Sequence, residues 1–255
     1  MEVLRVEGLS KNFGGLQVLQ KISFTAEAGE KLAIIGPNGA GKTTLFNVLG
    51  GQLTPTAGRV YLSEQEITTM AQHRRLHLGL ARSFQLNNLF FNLTLLDNML
   101  LAFKGAQHPH FRMFRPMNAY TDIFAAARDL LEPMGLWERR FDTVASLSYG
   151  DQRRLEIAFA LVSNPKIVLL DEPSAGLATA DAMVFADTIR NLLGDTTLIF
   201  CAHDMDLVFN LADRIMVLYF GQIIAEGTCD EIKCDLRVRE VYLGSGDTSG
   251  NAGSG

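Results

Sequence analysis

The stretch with the clearest chemical meaning is Gly36 to Thr43 (GPNGAGKT), a glycine-rich loop that ends in lysine and threonine. It follows the apolar run EKLAIIG and directly precedes a helical pattern, a context that makes this spacing specific for phosphate binding. Backbone N–H groups of Gly39 to Thr43 would bind a β-phosphate, Lys42 would neutralise the β- and γ-phosphates, and Thr43 would ligate Mg²⁺. The predicted nucleotide-binding residues of this loop are Gly36, Pro37, Asn38, Gly39, Ala40, Gly41, Lys42, Thr43 and Thr44. A dinucleotide site for hydride transfer is excluded, because its glycines are spaced differently.

Two adjacent acids, Asp171 and Glu172, follow the apolar strand pattern KIVLL. In a parallel sheet both would lie near the phosphate loop, at the edge where ligands bind. We expect Asp171 to hold Mg²⁺ through water. Glu172 would accept a proton from the water that attacks the γ-phosphorus.

Two further polar residues complete this predicted site. His203 follows the apolar strand TTLIFCA and would stabilise the charge on the equatorial phosphate oxygens or orient the attacking water. Gln85 lies where strand patterns give way to helical ones, and its amide would reach Mg²⁺ or the attacking water. The predicted catalytic residues are Lys42, Gln85, Glu172 and His203, and the predicted metal-binding residues are Thr43, Gln85 and Asp171.

A second phosphate-type site is predicted in residues 147–158 (LSYGDQRRLEIA), where an apolar stripe at helical spacing follows a Ser-x-Gly turn. Ser148 and Gly150 stand at the N-terminus of this helix, which suits a γ-phosphate electrostatically. One nucleotide cannot occupy both sites of one molecule if the second lies at the tip of a helical insertion. We therefore expect two chains to pair head to tail, so that Ser148 of one completes the site begun by Lys42 of the other.

Strand and helix patterns predict an α/β fold with a largely parallel sheet. A single domain would span residues 1–244, and its core would consist of residues 1–85 and 146–244. Between them, residues 86–145 have helical periodicity and are expected to form an inserted helical subdomain. The Gly/Ser-rich tail, 245–255, is expected to be disordered.

Composition narrows the functional classes. The chain has 255 residues, 47% of them hydrophobic, which supports a substantial core. The net charge of −5 lacks the basic excess that nucleic-acid binding requires, and the basic clusters His73–Arg75 and Arg139–Arg140 are expected to be solvated faces. Three cysteines without metal-ligand spacing favour a reducing, cytosolic setting. The apolar runs are shorter than the ~20 residues of a membrane span, so no membrane-spanning segment is expected. The N-terminal residues lack the charged and apolar regions of a signal peptide, so none is expected.

In type and order, these motifs resemble those of the ATP-binding subunits of ABC transporters, over about residues 2 to 244. The corresponding motifs are Walker A (Gly36–Thr43), the Q-loop (Gln85), the signature (Leu147–Asp151), Walker B (Ile167–Asp171, then Glu172) and the switch histidine (His203). The resemblance implies a P-loop NTPase fold of ABC type, with N-terminal antiparallel strands, a RecA-like core and a helical subdomain. It also implies ATP and Mg²⁺ as ligands, two cassettes that close on ATP, and stacking of Phe13 on adenine.

A closer resemblance is to the ATPases of bacterial branched-chain amino-acid uptake systems, carried by SKNFGGLQVLQKISF, ARSFQLNNLFFNLTLLDNML, LSYGDQRRLEIA and VREVYLG. It implies that the chain lies peripherally on the cytoplasmic side of the cell membrane and powers import of branched-chain or related solutes through a separate permease. A second ATPase subunit, either a copy or a homologue, and an external solute-binding protein are the other implied partners. The candidate permease contacts are Leu89, Phe90, Phe91 and Leu93, or the loop 107–116.

Two positions depart from the family pattern. The signature has Tyr149 and Asp151 where the general family favours glycine and glutamine. Ala178 replaces an aspartate or asparagine that the family uses across the dimer interface, which puts coupling between the two sites in doubt.

Two other functions of such an ATPase remain compatible with the sequence. ATPases that extract lipopolysaccharide share signatures of the RRxEIA type, although FGGL and SYGDQ favour uptake. A soluble ATPase of translation or DNA repair would carry two cassettes or a long coiled-coil insertion, and this chain has neither. The identity of the solute depends on the permease and the binding protein.

Overall fold

The computed structural model describes residues 1–82, 89–106, 121–177 and 179–243 of the chain. The strands are β1 (Glu2–Phe13), β2 (Leu16–Glu27), β3 (Lys31–Ile35), β4 (Ala57–Leu62), β5 (Gln65–Glu66), β6 (Leu80–Arg82), β7 (Ile167–Asp171), β8 (Thr197–Cys201), β9 (Arg214–Tyr219) and β10 (Gln222–Gly227). The helices are α1 (Lys42–Leu49), α2 (Gln72–His77), α3 (Leu95–Ala106), α4 (Thr121–Leu131), α5 (Tyr149–Leu161), α6 (Thr179–Leu193), α7 (Met205–Leu211), α8 (Cys229–Cys234) and α9 (Leu236–Leu243).

The larger sheet has the strand order β10-β9-β3-β8-β7-β6. All of its neighbouring strands are parallel except β9 and β10. Its central strands are short apolar runs that are buried on both faces, as expected for a parallel sheet covered on each side. Side chains alternate along β3, so that Ala33 and Ile35 enter one hydrophobic cluster while Leu32 and Ile34 enter the other.

The two hydrophobic clusters define the layers of the molecule. One contains α1 and the antiparallel sheet β2-β1-β4-β5. The other contains buried residues of α3 to α7 packed on the opposite face of the large sheet. The described part of 86–145 forms α3, α4 and two 3-10 turns, and its core is continuous with that of the sheet. The division into core and helical subdomain therefore stays a prediction.

The segment RIMVLYFGQIIAEG forms an antiparallel hairpin of β9 and β10. Phe220 and Gly221 join the strands with φ angles of 42° and 76°. Two central residues with positive φ are the signature of a tight hairpin turn, which matches the right-handed twist of the strands.

One residue of the basic cluster His73–Arg75 differs from its expected solvated state: His73 and Arg74 are exposed as expected, whereas Arg75 is 1% exposed. Its guanidinium donates hydrogen bonds to the carbonyl oxygens of Val48, Leu49, Thr68 and Met70, at 2.7 to 3.0 Å. Burial lowers the pKa of Arg75 to about 10, so the group stays charged at neutral pH. Val48 and Leu49 lie in the last turn of α1, whose carbonyls lack intrahelical partners and favour a cation. Arg75 therefore fixes the end of the helix that begins at the phosphate loop.

Within the described ranges, no helix is both long enough and apolar enough to cross a bilayer.

Candidate functional site

The sheet order brings three predicted motifs to one edge. Strand β8 lies between β3 and β7, and all three run in the same direction. Their carboxyl ends carry the phosphate loop after β3, the Asp171–Glu172 pair at the end of β7, and His203 after β8. This edge is where open α/β sheets bind ligands.

The phosphate loop depends on glycine at two points. A Cβ at Gly36 would lie 2.1 Å from the carbonyl oxygen of Leu218, and Gly41 has a φ of 107°. Lys42 begins α1 and is buried; its Nζ donates to the carbonyl oxygens of Gly36 at 2.7 Å and Pro37 at 3.1 Å. Burial lowers the pKa of the Lys42 ammonium group from its ordinary value. The loop is thus folded around its own lysine, and the side chain of Thr43 is exposed beside it.

Asp171 has two partners that were not predicted from the sequence, Arg82 and Cys201. Its Oδ2 lies 3.3 Å from Nη2 of Arg82, and its Oδ1 accepts a hydrogen bond from Sγ of Cys201 at 2.8 Å. Arg82 also donates to the side-chain oxygens of Asn47 and Gln52. Burial raises the pKa of the Cys201 thiol far above its ordinary value, so the thiol stays protonated and acts as a donor. No signal in the sequence pointed to Arg82, because the parallel pairing of β6 with β7 that brings it to Asp171 is seen only in the structure.

Glu172 and His203 are in direct contact. Oε1 of Glu172 lies 2.9 Å from Nε2 of His203, and both side chains are nearly half exposed. Glu172 has a φ of 51°, an uncommon conformation for a residue other than glycine. Its backbone N–H donates to the carbonyl oxygen of Cys201 at 2.9 Å, which ties the turn after β7 to the end of β8. A candidate base and a candidate hydrogen-bond donor are therefore held side by side.

The signature turn caps α5. Oγ of Ser148 accepts a hydrogen bond from the backbone N–H of Asp151 and donates one to the Asp151 carboxylate at 2.7 Å. Arg139 and Arg154 also bind that carboxylate, at 2.7 and 3.0 Å. Gly150 is the second residue of the helix, so the predicted turn already belongs to its first turn. The unusual Asp151 thus anchors the N-terminus of α5 to neighbouring arginines.

The other unusual signature residue, Tyr149, packs against Gly176, where a residue with a side chain would not fit. A Cβ at Gly176 would lie 2.8 Å from the Tyr149 ring. The phenol oxygen of Tyr149 accepts hydrogen bonds from Arg153 at 2.6 and 3.0 Å. A cavity of about 280 Å³ opens here, lined by Ser148, Tyr149, Gly150, Arg154, Gly176, Leu177 and Phe185. Among the described residues, no hydrogen bond joins this turn to the phosphate loop of the same chain.

Phe13, the predicted adenine contact, ends β1 and is 48% exposed. The ammonium group of Lys11 lies 5.1 Å from the centroid of its ring. Gln85, Ala178 and the candidate permease loop 107–116, all singled out in the sequence, lie outside the described residues.

The family model for ABC transporters matches residues 19–175, which is more than half of the chain. The chain belongs to the ABC transporter family. A second model, for the branched-chain amino acid ATP-binding cassette transporters, matches residues 222–248. The chain is therefore an ATP-binding cassette, an ATPase subunit of a transporter.

Relatives resemble the cassette over nearly its whole length. It is 37% identical over 254 residues to the high-affinity branched-chain amino acid transport ATP-binding protein LivG of Salmonella typhimurium, covering 95% of this chain and 98% of that protein. The crystal structure of an ABC transporter cassette in its ADP conformation matches with a TM-score of 0.84 and 32% identity, covering 96% and 99% of the two chains. A dimeric cassette in a post-hydrolysis state, bound to ADP and Pi, matches with a TM-score of 0.72 and 25% identity, covering 88% and 98%. The predicted fold class and family are confirmed.

The ion pair at Asp171 leads to a prediction about stability. Arg82→Met is expected to lower the free energy of unfolding by about 3 kcal/mol, because it leaves a buried carboxylate without its cation. Urea unfolding measures this loss. MgATP is expected to restore more stability to the variant than it adds to the unmodified cassette, because a metal ion would replace the missing charge. Arg128→Met, which breaks the exposed pair with Glu132, is the control and should leave stability nearly unchanged. Equal losses in the two variants would contradict the prediction.

Proposed function

We propose that this cassette powers the uptake of branched-chain or related small hydrophobic amino acids through a separate membrane permease. In this proposal ATP closes the cassette against a second ATPase chain, and hydrolysis reopens it. The observation that supports the mechanism is that the phosphate loop and the turn at the N-terminus of α5, the two predicted phosphate-type sites, share no hydrogen bond among the described residues. The substrate class is supported by the relatives, whose names describe branched-chain amino acid transport.

In the proposed site, the phosphate loop binds the β- and γ-phosphates through backbone N–H groups and Lys42. Lys42 Nζ now bonds two loop carbonyls, and phosphate oxygens would be stronger, charged acceptors for the same donor. Phe13, which is half-exposed, offers a ring face for adenine. Gln85 keeps its predicted role at the metal or the attacking water.

The donor set suits Mg²⁺, which takes one or two carboxylates together with substrate phosphates rather than a full protein cage. Asp171 at the end of β7 and the exposed hydroxyl of Thr43 are the protein groups that would hold it. A bound Mg²⁺ would supply positive charge that stabilises the phosphate oxygens. Among the described residues, no cluster of three or more His, Cys, Asp or Glu side chains suggests a different metal.

Glu172 is the proposed general base. Its carboxylate would accept a proton from the attacking water as the water oxygen bonds to the γ-phosphorus and the bond to the β-phosphate oxygen breaks. With its proton on Nε2, His203 donates to Oε1 of Glu172 across 2.9 Å and so fixes the direction of the carboxylate. The same imidazole lies at the sheet edge, where it would turn toward a γ-phosphate oxygen.

The second ATPase chain, a copy or a homologue, would supply Ser148 and Gly150 to this site. These residues stand at the positive end of the 13-residue helix α5, where backbone N–H groups favour an anion. The dimeric, ADP- and Pi-bound cassette among the structural relatives supports such pairing. The few kcal/mol that separate open and closed states would then come from contacts that both chains make with one nucleotide.

The permease is proposed to bind in a cavity of about 510 Å³ between β6, α2, α3 and α5. Leu89 lines this cavity, and the adjacent Phe90, Phe91 and Leu93 are 36% to 56% exposed. The segment is held by the buried Asn98, whose amide bonds both backbone groups of Phe90. Clustered exposed apolar side chains beside a groove are typical of a protein interface. The cassette would therefore lie on the cytoplasmic side of the membrane, against its permease.

Reconstitution tests this proposed function. The cassette is purified together with its membrane partner and placed in liposomes with ATP on the cassette side and the solute-binding protein on the other. Uptake of labelled leucine is expected to depend on ATP and to be reduced by unlabelled isoleucine and valine. Lys42→Ala in the same complex is the control and should abolish uptake. ATP-dependent movement of solute in the opposite direction, or ATPase activity that responds to none of these amino acids, would contradict the proposal.

A further inference from the structure

Two polar atoms in the wall of the groove proposed for the permease lack hydrogen-bond partners within the described part of the chain. Among the described residues, three buried side-chain nitrogen or oxygen atoms are unpaired: Arg140 Nε, Glu156 Oε1 and Ser163 Oγ. Glu156 and Ser163 both line the cavity of about 510 Å³. Buried polar groups in folded proteins are nearly always hydrogen-bonded, so two unpaired atoms in one cavity require an explanation.

The environment of Glu156 makes its unpaired oxygen costly. The residue is 7% exposed, and Arg153 donates to its Oε2 at 2.8 Å, whereas Oε1 has no donor within the described residues. Burial raises the pKa of the Glu156 carboxyl above its ordinary value. The guanidinium of Arg153 donates hydrogen bonds both to this carboxylate and to the phenol oxygen of Tyr149. One local cation therefore satisfies only half of a buried acidic group.

The remaining wall of the cavity is mainly apolar. Its nonpolar members include Leu76, Leu80, Leu89, Ala102, Phe159 and Val162. Arg82 also lines it, but the hydrogen bonds of its guanidinium go to Asn47, Gln52 and Asp171. Gln72 and His73 are the other polar residues of this wall. The groove is thus a mainly apolar surface over one buried carboxylate oxygen and one buried hydroxyl that lack partners among the described residues, which complements an apolar segment with a single basic side chain.

We propose that Glu156 is the recognition residue for the permease and accepts a hydrogen bond at Oε1 from a lysine or arginine of the segment that enters this groove. This inference rests on the proposed function, because it assigns the chemistry of the same docking site. Ser163 Oγ provides a second polar contact at the wall of the cavity. A permease segment without a basic side chain would leave the carboxylate buried and unpaired, so Glu156 discriminates between permeases.

The test measures the dissociation constant between the purified cassette and its permease in nanodiscs. Glu156→Gln keeps the size of the side chain but removes its charge, and is expected to weaken binding by about tenfold or more. Glu132→Gln is the matched control, because Glu132 also pairs with an arginine about one turn earlier in the chain, Arg128, but is exposed. It should leave the dissociation constant unchanged. Urea unfolding of both variants confirms that each is folded.

A double-mutant cycle identifies the partner group. Each lysine or arginine in the cytoplasmic segments of the permease is replaced by methionine, and one replacement is expected to abolish the difference between Glu156 and Glu156→Gln. If no replacement does so, or if Glu156→Gln binds as tightly as the unmodified cassette, the inference is overturned. Phe90→Asp separates the two proposals: if it abolishes binding while Glu156→Gln has no effect, the docking groove stands and only the role of Glu156 fails. A cassette that does not bind the permease at all would refute the proposed function itself.

Discussion

Glu172→Gln is expected to bind MgATP with nearly unchanged affinity while phosphate release falls by about 100-fold or more. The amide has the shape of the carboxylate but cannot accept a proton from the attacking water. Because ATP persists, the variant is also expected to accumulate as an ATP-bound dimer. Phosphate release, equilibrium nucleotide binding and light scattering measure the three effects.

The control for this experiment is Glu138→Gln, an exposed acid away from the sheet edge. It should release phosphate at the rate of the unmodified cassette. Near-normal phosphate release by Glu172→Gln would remove Glu172 from the role of general base. The hydrogen bond to His203 would then be a structural contact of the turn after β7.

Ser148→Arg is expected to abolish ATP-dependent dimerisation while each chain still binds ATP. A long cationic side chain at the N-terminus of α5 would occupy the space in which the γ-phosphate of the opposite chain is proposed to lie. It would also bring a positive charge to the positive end of the helix. Light scattering with and without MgATP measures dimerisation, and nucleotide titration measures binding to the single chain.

Loss of the helix cap is a second explanation for the absence of dimers in Ser148→Arg. A further variant distinguishes it from direct blocking of the phosphate site. Ser148→Asp keeps a good cap for α5 but places a negative charge against the phosphate, so it should also block dimerisation. Ser146→Arg, two residues earlier on an exposed 3-10 turn, should dimerise normally. ATP-dependent dimers of both Ser148 variants would contradict the shared-site geometry.

The sequence predicted that three of the motifs meet at one edge of the sheet, because each of them follows an apolar strand. In a parallel sheet the carboxyl ends of neighbouring strands share an edge, so Lys42, Asp171 and His203 could be expected together without knowledge of the strand order. The fold class followed from the same alternation of buried strands and helices and is confirmed. The roles assigned to these side chains stay predictions.

Contacts between distant residues could not be predicted from the sequence. Arg82 lies 89 positions from Asp171, and only the pairing of β6 with β7 brings them together. Arg75 was expected on a solvated face because its neighbours are polar, yet it bonds carbonyls of α1 some 26 positions earlier. The unpaired oxygen of Glu156 likewise depends on the shape of a cavity built from four separate elements.

The most direct test of the shared nucleotide site is the structure of the Glu172→Gln cassette closed on MgATP with its partner ATPase, whether a copy or a homologue. One γ-phosphate is expected to lie within hydrogen-bond distance of Lys42 Nζ in one chain and of the Ser148–Gly150 turn, or its counterpart, in the other. A nucleotide contacted by Lys42 and Ser148 of the same chain, or a signature turn that faces no nucleotide, would contradict it.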